Sequence, residues 1–368
     1  MSQETVTLLC SGSSLGAYVP GLLLAHQFAA KGFETDVLVL ENCLLAEKRD
    51  SILKTKFAFH RNFSIARMAQ KLVGDITPSL DPETVSKLLS NWRQQRRRRF
   101  VVIYGFWIPI ITQYLNQTDF PGDLAIDLCH MDAVTSASWN RVDASGPCFR
   151  HIWFFDWAGQ SLPYRLAVTD EEPIPYAERS GRFLIHGGGW GIGTYQSKIP
   201  ELAGQGIPLD VTVYEQQDIE NQLAGNRYFM IDPAWKAWER DDSGHHQFPP
   251  LGEVNGSAPV VFANNPAYPE VYPLIRQCQA IISKPGGSTL VDSLSAATPL
   301  ILLEPYGEYE QRNGELWESL GFAMTYAKWA NTGYSTEVLR GLHVNLLNAR
   351  TQTQNYVEVY DDATRHYG

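Results

Sequence analysis

The chain has 368 residues and a formal net charge of −10, and hydrophobic residues make up 44% of it. This composition is typical of a globular protein large enough for two domains. The negative charge argues against general nucleic-acid binding, because phosphate contacts need an excess of Lys and Arg. The five cysteines are scattered without paired spacing, which argues against a disulfide scaffold or a metal-binding knot and suits a cytoplasmic protein.

No transmembrane segment is expected. The longest apolar run, Phe100–Ile111, is interrupted by Gly105 and Pro109, whereas a membrane-spanning helix needs about 20 apolar residues. This run predicts a buried strand followed by the start of a helix.

Strand-like and helix-like segments alternate along the chain, which predicts parallel sheets covered by helices. In the first half, strands are predicted at Val6–Cys10, Thr35–Leu40, Phe100–Tyr104 and Leu124–Leu128, one helix from Pro20 to about Ala30, and another that begins at Pro82 with Asp81 as its cap. In the second half, strands are predicted at Arg182–Ile185, Leu209–Tyr214, Val260–Phe262, Gln279–Ile282 and Leu300–Leu303.

Two strand–glycine-turn–helix openings, about half the chain apart, predict an α/β protein with two Rossmann-like domains facing each other. A proline-containing stretch, Val168–Gly181, is the predicted linker. We expect domains at residues 1–170 and 171–345, with a tail or helix at 346–368 that packs back on the first domain. The region 232–259 fits neither pattern and is an insertion or long loop with no assigned role.

The most informative stretch is Ser283–Asp292, which reads Ser-Lys-Pro-Gly-Gly-Ser-Thr-Leu-Val-Asp and joins a predicted buried strand to a predicted helix. A Gly-Gly turn at this point leaves backbone N–H groups and a helix N-terminus without partners. Such an end carries about half a positive charge and binds phosphate readily. Gly286 and Gly287 are therefore the predicted phosphate contacts, with Ser288 and Thr289 as hydroxyl donors and Lys284 as a possible charge.

A second glycine run follows another strand, at His186–Gly193. Because the carboxyl ends of parallel strands lie at one edge of a sheet, this turn and the Gly286-Gly287 turn should converge on one crevice. Gly187, Gly188 and Gly189 are the predicted backbone contacts to a diphosphate.

These motifs carry a resemblance. Ser283–Ala323 resembles the donor-binding half of GT-B glycosyltransferases, in particular the branch of the peptidoglycan lipid-intermediate N-acetylglucosaminyltransferases and the diacylglycerol glucosyltransferases. The resemblance implies a GT-B fold, donor binding by the second domain and acceptor binding by the first. It implies an inverting transfer from a nucleotide-sugar, with UDP as the expected nucleotide, to a small-molecule acceptor, without a metal or another cofactor.

The resemblance also implies roles for individual residues. Asp292 stands where the family has a Glu that holds the ribose. Glu310 and Gln311 stand where the family's sugar-binding pair lies, followed by Asn313-Gly314 at the start of a helix. The alternative for the pair is ordinary capping of a helix N-terminus by charged residues.

The first domain departs from the family pattern, because Ala17 stands where the family has a histidine near the acceptor. A replacement is sought in Leu128–Ala133, which follows a predicted strand. There His130 is the predicted general base and Asp132 the group that orients it. His186 is a second candidate, nearer the donor.

The missing histidine leaves other functions open. A nucleotide-sugar hydrolase or epimerase on the same fold is one alternative, and a non-catalytic subunit that binds a sugar nucleotide is another. Dinucleotide and ATP sites are disfavoured because no matching motif follows either glycine turn. The acceptor, the sugar and the oligomeric state stay open.

Overall fold

The computed structural model describes residues 5–219, 222–256 and 258–364, which form two sheets. The first sheet has the order β2-β1-β3-β4-β5, with every pair parallel. Its strands are β1 Thr5–Cys10, β2 Glu34–Val39, β3 Arg99–Val102, β4 Ala125–His130 and β5 Phe149–Trp153.

The second sheet has the order β12-β11-β10-β6-β7-β8-β9 and is parallel except for the β8–β9 pair. Its strands are β6 Phe183–Ile185, β7 Leu209–Val213, β8 Arg227–Ile231, β9 Leu251–Glu253, β10 Ile281–Ser283, β11 Leu300–Leu302 and β12 Ala323–Thr325. The strand β10, which leads into the Gly286-Gly287 turn, lies between β11 and β6. The turns after β6 and β10 are therefore neighbours, as their parallel pairing requires.

Helices cover the sheets. They are α1 Leu15–Ala30, α2 Ala46–Arg61, α3 Phe63–Lys71, α4 Pro82–Gln94, α5 Ile108–Gln117, α6 Ile199–Gly204, α7 Tyr272–Gln277, α8 Gly287–Ala296, α9 Glu308–Ser319, α10 Tyr326–Asn331, α11 Glu337–Gln352 and α12 Tyr356–Thr364. None of the helices in the described ranges is both long and apolar enough to cross a bilayer.

The two halves share one apolar core. A single cluster of buried side chains contains Leu22 and Leu24 of α1 together with Leu290 and Leu294 of α8, and α1 packs directly against α8. Two further clusters cover the outer faces of the two sheets. The helices that follow the 11–14 turn and the 284–287 turn are therefore held face to face, which places both turns at the domain boundary.

Residues 232–250, part of the 232–259 region that had no predicted role, connect the second half to the first. The Tyr18 hydroxyl donates to the Gln247 carbonyl at 2.8 Å, and Arg240 donates to the Val37 carbonyl at 3.0 Å. Trp238 packs beside Gly12, where an added Cβ would lie 3.3 Å from its ring. At the chain's other end, Tyr360 of α12 packs edge-on against Phe28 of α1, with 4.7 Å between ring centroids.

The structure corrects two element predictions. The first helix begins at Leu15 and contains Pro20, because the backbone N–H groups of Ala17 and Tyr18 already bond to Ser14. No strand forms at Val260–Phe262; only Ala263 pairs with Leu251, in an isolated bridge. The predicted start of α4 is confirmed, since Asp81 accepts a hydrogen bond from Glu83 and Pro82 follows at the first helical position.

Candidate active site between the two domains

The 284–287 turn lies at the domain boundary. Gly286 is the residue before α8, and its carbonyl accepts the Leu290 N–H at 3.1 Å. The carboxylate of Asp132, which belongs to the opposite domain, lies beside the Gly287 N–H. A Cβ at position 287 would lie 2.2 Å from the Met131 carbonyl oxygen and 2.9 Å from Asp132 Oδ1. Glycine is therefore required here for close approach of the 131–133 loop.

Asn313 of α9 joins this turn to the same loop and is fully buried. Its Oδ1 accepts the Ala133 N–H at 2.7 Å. Its Nδ2 donates to Asp132 Oδ1 at 2.8 Å and to the Pro285 carbonyl at 2.9 Å. One amide side chain thus fixes the distance between the first domain's loop and the second domain's glycine turn.

A buried ion pair lies on the other side of the turn. Lys284 Nζ is 2.5 Å from Glu310 Oε1, and the side chains are 15% and 2% exposed. Glu310 Oε2 also accepts the Tyr306 N–H at 2.7 Å. The predicted Glu310–Gln311 pair is split, because Gln311 is exposed and donates to Glu315 on the same helix at 3.0 Å.

Asp132 is the half-buried carboxyl group at the centre of these contacts. Burial raises its pKa to about 6, and the nearby charge of Glu310 adds to that effect. The hydrogen bond from Asn313, the charge of Lys284 and the Gly287 N–H act in the opposite direction. A carboxyl with such a pKa can both release and accept a proton near neutral pH.

The 187–193 turn lies beside the 284–287 turn, as predicted. Gly188 has a φ of +73°, a conformation suited to glycine, and its N–H donates to His186 Nδ1 at 3.0 Å. Burial lowers the pKa of His186 to about 4, and the charge of Lys284 lowers it further. Gly189 faces the first domain, since a Cβ there would meet the Leu15 side chain at 2.2 Å. Both predicted glycine turns therefore face the first domain.

His60 of α2 closes over the 187–193 turn. Its Nδ1 lies 2.7 Å from the Gly191 carbonyl oxygen, and its Nε2 lies 3.0 Å from Asp218 Oδ1. When Asp218 is ionised, both partner atoms are acceptors, which favours a hydrogen on each ring nitrogen and a positive charge on the ring, in line with the raised pKa of His60. Glu215, Arg61 and Tyr214 also face this ring or its carboxylate partner.

The rest of the predicted donor set lies along α8. Ser288 is half-buried and Thr289 is buried. Asp292 is half-buried in the second turn of the helix, and within the described residues it has no hydrogen-bond partner. Burial raises its pKa to about 7.

The structure separates His130 from Asp132. His130 is 1% exposed and lies inside the first domain, where its ring stacks on Trp153 at 4.0 Å and its Nε2 contacts His151 Nδ1 at 2.9 Å. Burial lowers its pKa to about 3, and the nearby His151 contributes. This position argues against His130 as a general base and against Asp132 as the residue that orients it.

Sequence reasoning missed Glu41, whose carboxylate lies in the 11–14 turn before α1. It is 1% exposed and accepts the Gly12 N–H at 2.7 Å, the Ser13 N–H at 2.8 Å and the Ser11 hydroxyl at 2.8 Å. The available signal was an acid just beyond the second predicted strand. His60 and Lys56 were missed as well; Lys56 Nζ lies 5.1 Å from the centroid of Trp190 in the 187–193 turn.

The chain resembles solved structures over nearly its whole length. It is similar to MurG of Acinetobacter baumannii, with a TM-score of 0.53, 13% identity and 99% of each chain covered. It is similar to Arabidopsis thaliana UGT89C1 complexed with UDP, with a TM-score of 0.55, 11% identity, and 99% of this chain and 100% of that chain covered. It is similar to the glycosyltransferase VinC in complex with dTDP, with a TM-score of 0.55, 10% identity and 99% of each chain covered.

No family model matches the chain, and no curated protein matches it significantly. At such low identities the structural similarity establishes the fold. The two mainly parallel sheets, with helix-bearing glycine turns facing each other, match the prediction made from the Ser283–Ala323 motif. The chain therefore has the GT-B fold of the glycosyltransferases, with two Rossmann-like domains facing each other across a cleft.

Proposed function

We propose that the protein is an inverting glycosyltransferase that moves a sugar from a nucleotide-sugar, with UDP as the expected nucleotide, to a small-molecule acceptor. The observation that carries this proposal is the N-terminus of α8, whose first-turn N–H groups at Ser288 and Thr289 have no backbone acceptor among the described residues and lie beside Lys284 at the domain boundary. UDP and dTDP are the nucleotides bound in two proteins of similar structure.

The proposed donor contacts follow from this position. The α8 amides and the Ser288 and Thr289 hydroxyls bind the diphosphate, and the backbone of Gly187–Gly189 contacts it from the adjacent turn. Asp292 accepts hydrogen bonds from the ribose; its half-buried carboxyl has no hydrogen-bond partner within the described chain, which suits a ligand hydroxyl. Glu310 and Gln311 are proposed at the sugar, although Glu310 must then share its carboxylate with Lys284.

The proposed reaction is a displacement at the anomeric carbon. As the bond from the acceptor oxygen forms, the bond to the phosphate oxygen breaks, and negative charge builds on the departing diphosphate. The α8 amides and Lys284 stabilise that charge without a metal ion. Asp132, with its pKa of about 6, is the proposed acceptor of the proton. Domain closure keeps water from the donor.

A nucleotide-sugar panel tests the proposal. The protein is mixed with UDP- and dTDP-sugars, with and without candidate acceptors, and both the melting temperature and nucleotide release are followed. A donor at 100 times its Kd should add about 2.7 kcal/mol of stability. Acceptor-dependent nucleotide release is the expected result.

The same panel separates the alternatives. Release that needs no acceptor indicates a nucleotide-sugar hydrolase, and a changed sugar without release indicates an epimerase. Stabilisation without release under any condition indicates a non-catalytic binding subunit. If no nucleotide-sugar raises the melting temperature, the proposed donor site is wrong.

A further inference from the structure

The N-terminus of α8 already holds an anion, and that anion belongs to the protein. The Asp132 carboxylate lies against Gly287, with Oδ1 2.9 Å from where a Cβ of residue 287 would be, so it stands beside the amides that would bind a phosphate oxygen at this helix end. Asp132 comes from the loop after β4 in the opposite domain. The contact therefore exists only while the two domains are close together.

The space at the turn is filled as well. A Cβ at Gly287 would lie 2.2 Å from the Met131 carbonyl oxygen, so the 131–133 loop lies directly against the start of α8. Asn313 holds this arrangement by bonding Asp132, Ala133 and the Pro285 carbonyl at 2.7 to 2.9 Å. A diphosphate can reach the Gly287 N–H only after the 131–133 loop withdraws.

The charges at the turn point the same way. Lys284 is already paired with Glu310 at 2.5 Å, and the Asp132 carboxylate adds a second negative charge next to that pair. An incoming diphosphate would meet this carboxylate at short range, where like charges repel strongly because the surroundings are poorly solvated. Both space and charge require Asp132 to leave the turn before a diphosphate binds.

We propose that Asp132 is an internal competitor of the donor: in the donor-free protein it occupies the phosphate position at α8, and the donor binds by displacing it. The inference rests on the proposed donor site. Displacement releases the carboxylate into the cleft only when a donor is present, which couples the proposed proton acceptor to donor binding. A donor that binds only the displaced form has its affinity reduced by the fraction of molecules in that form.

The test is the Kd of UDP, measured by calorimetry for the wild type and for Asp132→Asn and Asp132→Ala. Asn keeps the size of the side chain and removes the charge, and Ala removes the group altogether. If the occupied form makes up about 90% of the donor-free protein, each substitution should tighten UDP binding about tenfold. Retained melting temperature and secondary structure show that the variants are folded.

Glu215→Gln is the matched control. Glu215 pairs with Arg61 across the same domain boundary at 2.7 Å, and its substitution removes the same charge and one interdomain contact without touching α8. UDP affinity should change less than threefold. An equal gain for Glu215→Gln would show that general loosening of the cleft, rather than Asp132, sets the affinity, and would overturn the inference.

The remaining outcomes are also informative. Binding to the wild type that neither Asp132 variant strengthens overturns the competitor role while leaving the donor site intact. Binding by the variants alone supports the competitor role. Absence of UDP and dTDP binding in all of the proteins overturns both proposals.

Discussion

The two domains solve the same local problem with different partners. In each, a glycine-containing turn that leads into a helix, α1 or α8, lies against a carboxylate. At the 11–14 turn the carboxylate is Glu41, which comes from the same domain and is 1% exposed. At the 284–287 turn it is Asp132, which comes from the opposite domain and is half-buried.

The difference separates a structural anion from an exchangeable one. Glu41 lies just beyond β2 and accepts three hydrogen bonds of 2.7 to 2.8 Å within its own domain, so it stays in place when the domains separate. Asp132 loses its contacts with Gly287 and Asn313 on separation. Of these two turns, only the 284–287 turn can therefore lose its carboxylate to make way for a ligand anion, which agrees with placing the donor at α8.

The largest expected effect is that of Glu41→Ala. It removes the acceptor of the Gly12 and Ser13 N–H groups, while the Ser11 hydroxyl keeps Ser13 Oγ at 2.8 Å, and unsatisfied buried groups cost about 1–3 kcal/mol each. We expect a loss of about 4 kcal/mol in the free energy of unfolding, measured in urea. Asp132→Ala is the matched comparison and should lose about 1 kcal/mol or less, because its partners become solvated when the cleft opens. Equal losses would show that the two carboxylates have the same structural role.

The next effect concerns the ion pair of Lys284 and Glu310, which stabilises the 284–287 turn independently of Asp132. Lys284→Met leaves Glu310, which is 2% exposed, without its cation. Removing one partner of a buried pair should cost about 3 kcal/mol in urea unfolding. Adding Glu310→Gln in the same chain should restore much of that loss. A Lys284→Met protein as stable as the wild type would mean that the pair contributes nothing to the turn.

The smallest expected effect is a pH dependence of domain closure through His60. Burial alone would lower its pKa, but its hydrogen bonds to Asp218 and Gly191 and the charges of Asp218 and Glu215 outweigh that effect and raise it. A raised pKa means that the extra stability is complete below the ordinary value of 6.5 and is lost as pH rises through the folded-state pKa.

Melting temperatures measured between pH 5.5 and 8.5 should therefore fall more steeply for the wild type than for His60→Gln. The glutamine can still donate to Asp218 or Gly191, but it does not titrate. His343→Gln is a control for a buried histidine whose pKa is lowered rather than raised, chiefly by burial. Parallel curves for the wild type and His60→Gln would remove His60 as the origin of the pH dependence.

Local patterns were enough to predict much of the architecture. The apolar run before Ser283 and the Gly286-Gly287 pair predicted β10, the turn and α8. The glycine run at 187–193 was predicted to lie beside the 284–287 turn because the carboxyl ends of parallel strands lie at one edge of the sheet. The prediction that the first helix begins at Pro20 failed. The helix already starts at Leu15, where the Ala17 and Tyr18 N–H groups bond the Ser14 carbonyl, and Pro20 lies inside it.

The candidate site was predicted less completely. The sequence pointed to Asp132 and Lys284. It also placed His130 in the cleft, but the structure buries His130 inside the first domain, between two aromatic rings. It offered no reason to select Glu41 as a turn partner or His60 as a cation over Gly191. Their roles depend on which distant segments meet, and a single sequence contains no direct record of that.

What the sequence by itself determined is the set of turns and helix ends that would have unbonded amides, because glycine spacing and apolar periodicity act over a few residues. What only the tertiary structure decided is the anion that each end receives. Glu41 reaches back over about thirty residues to Gly12, and Asn313 bonds Ala133 across 180 residues. The first contact forms within one domain, whereas the second forms only because packing of α1 on α8 brings the two domains together, and the shared apolar core drives that packing.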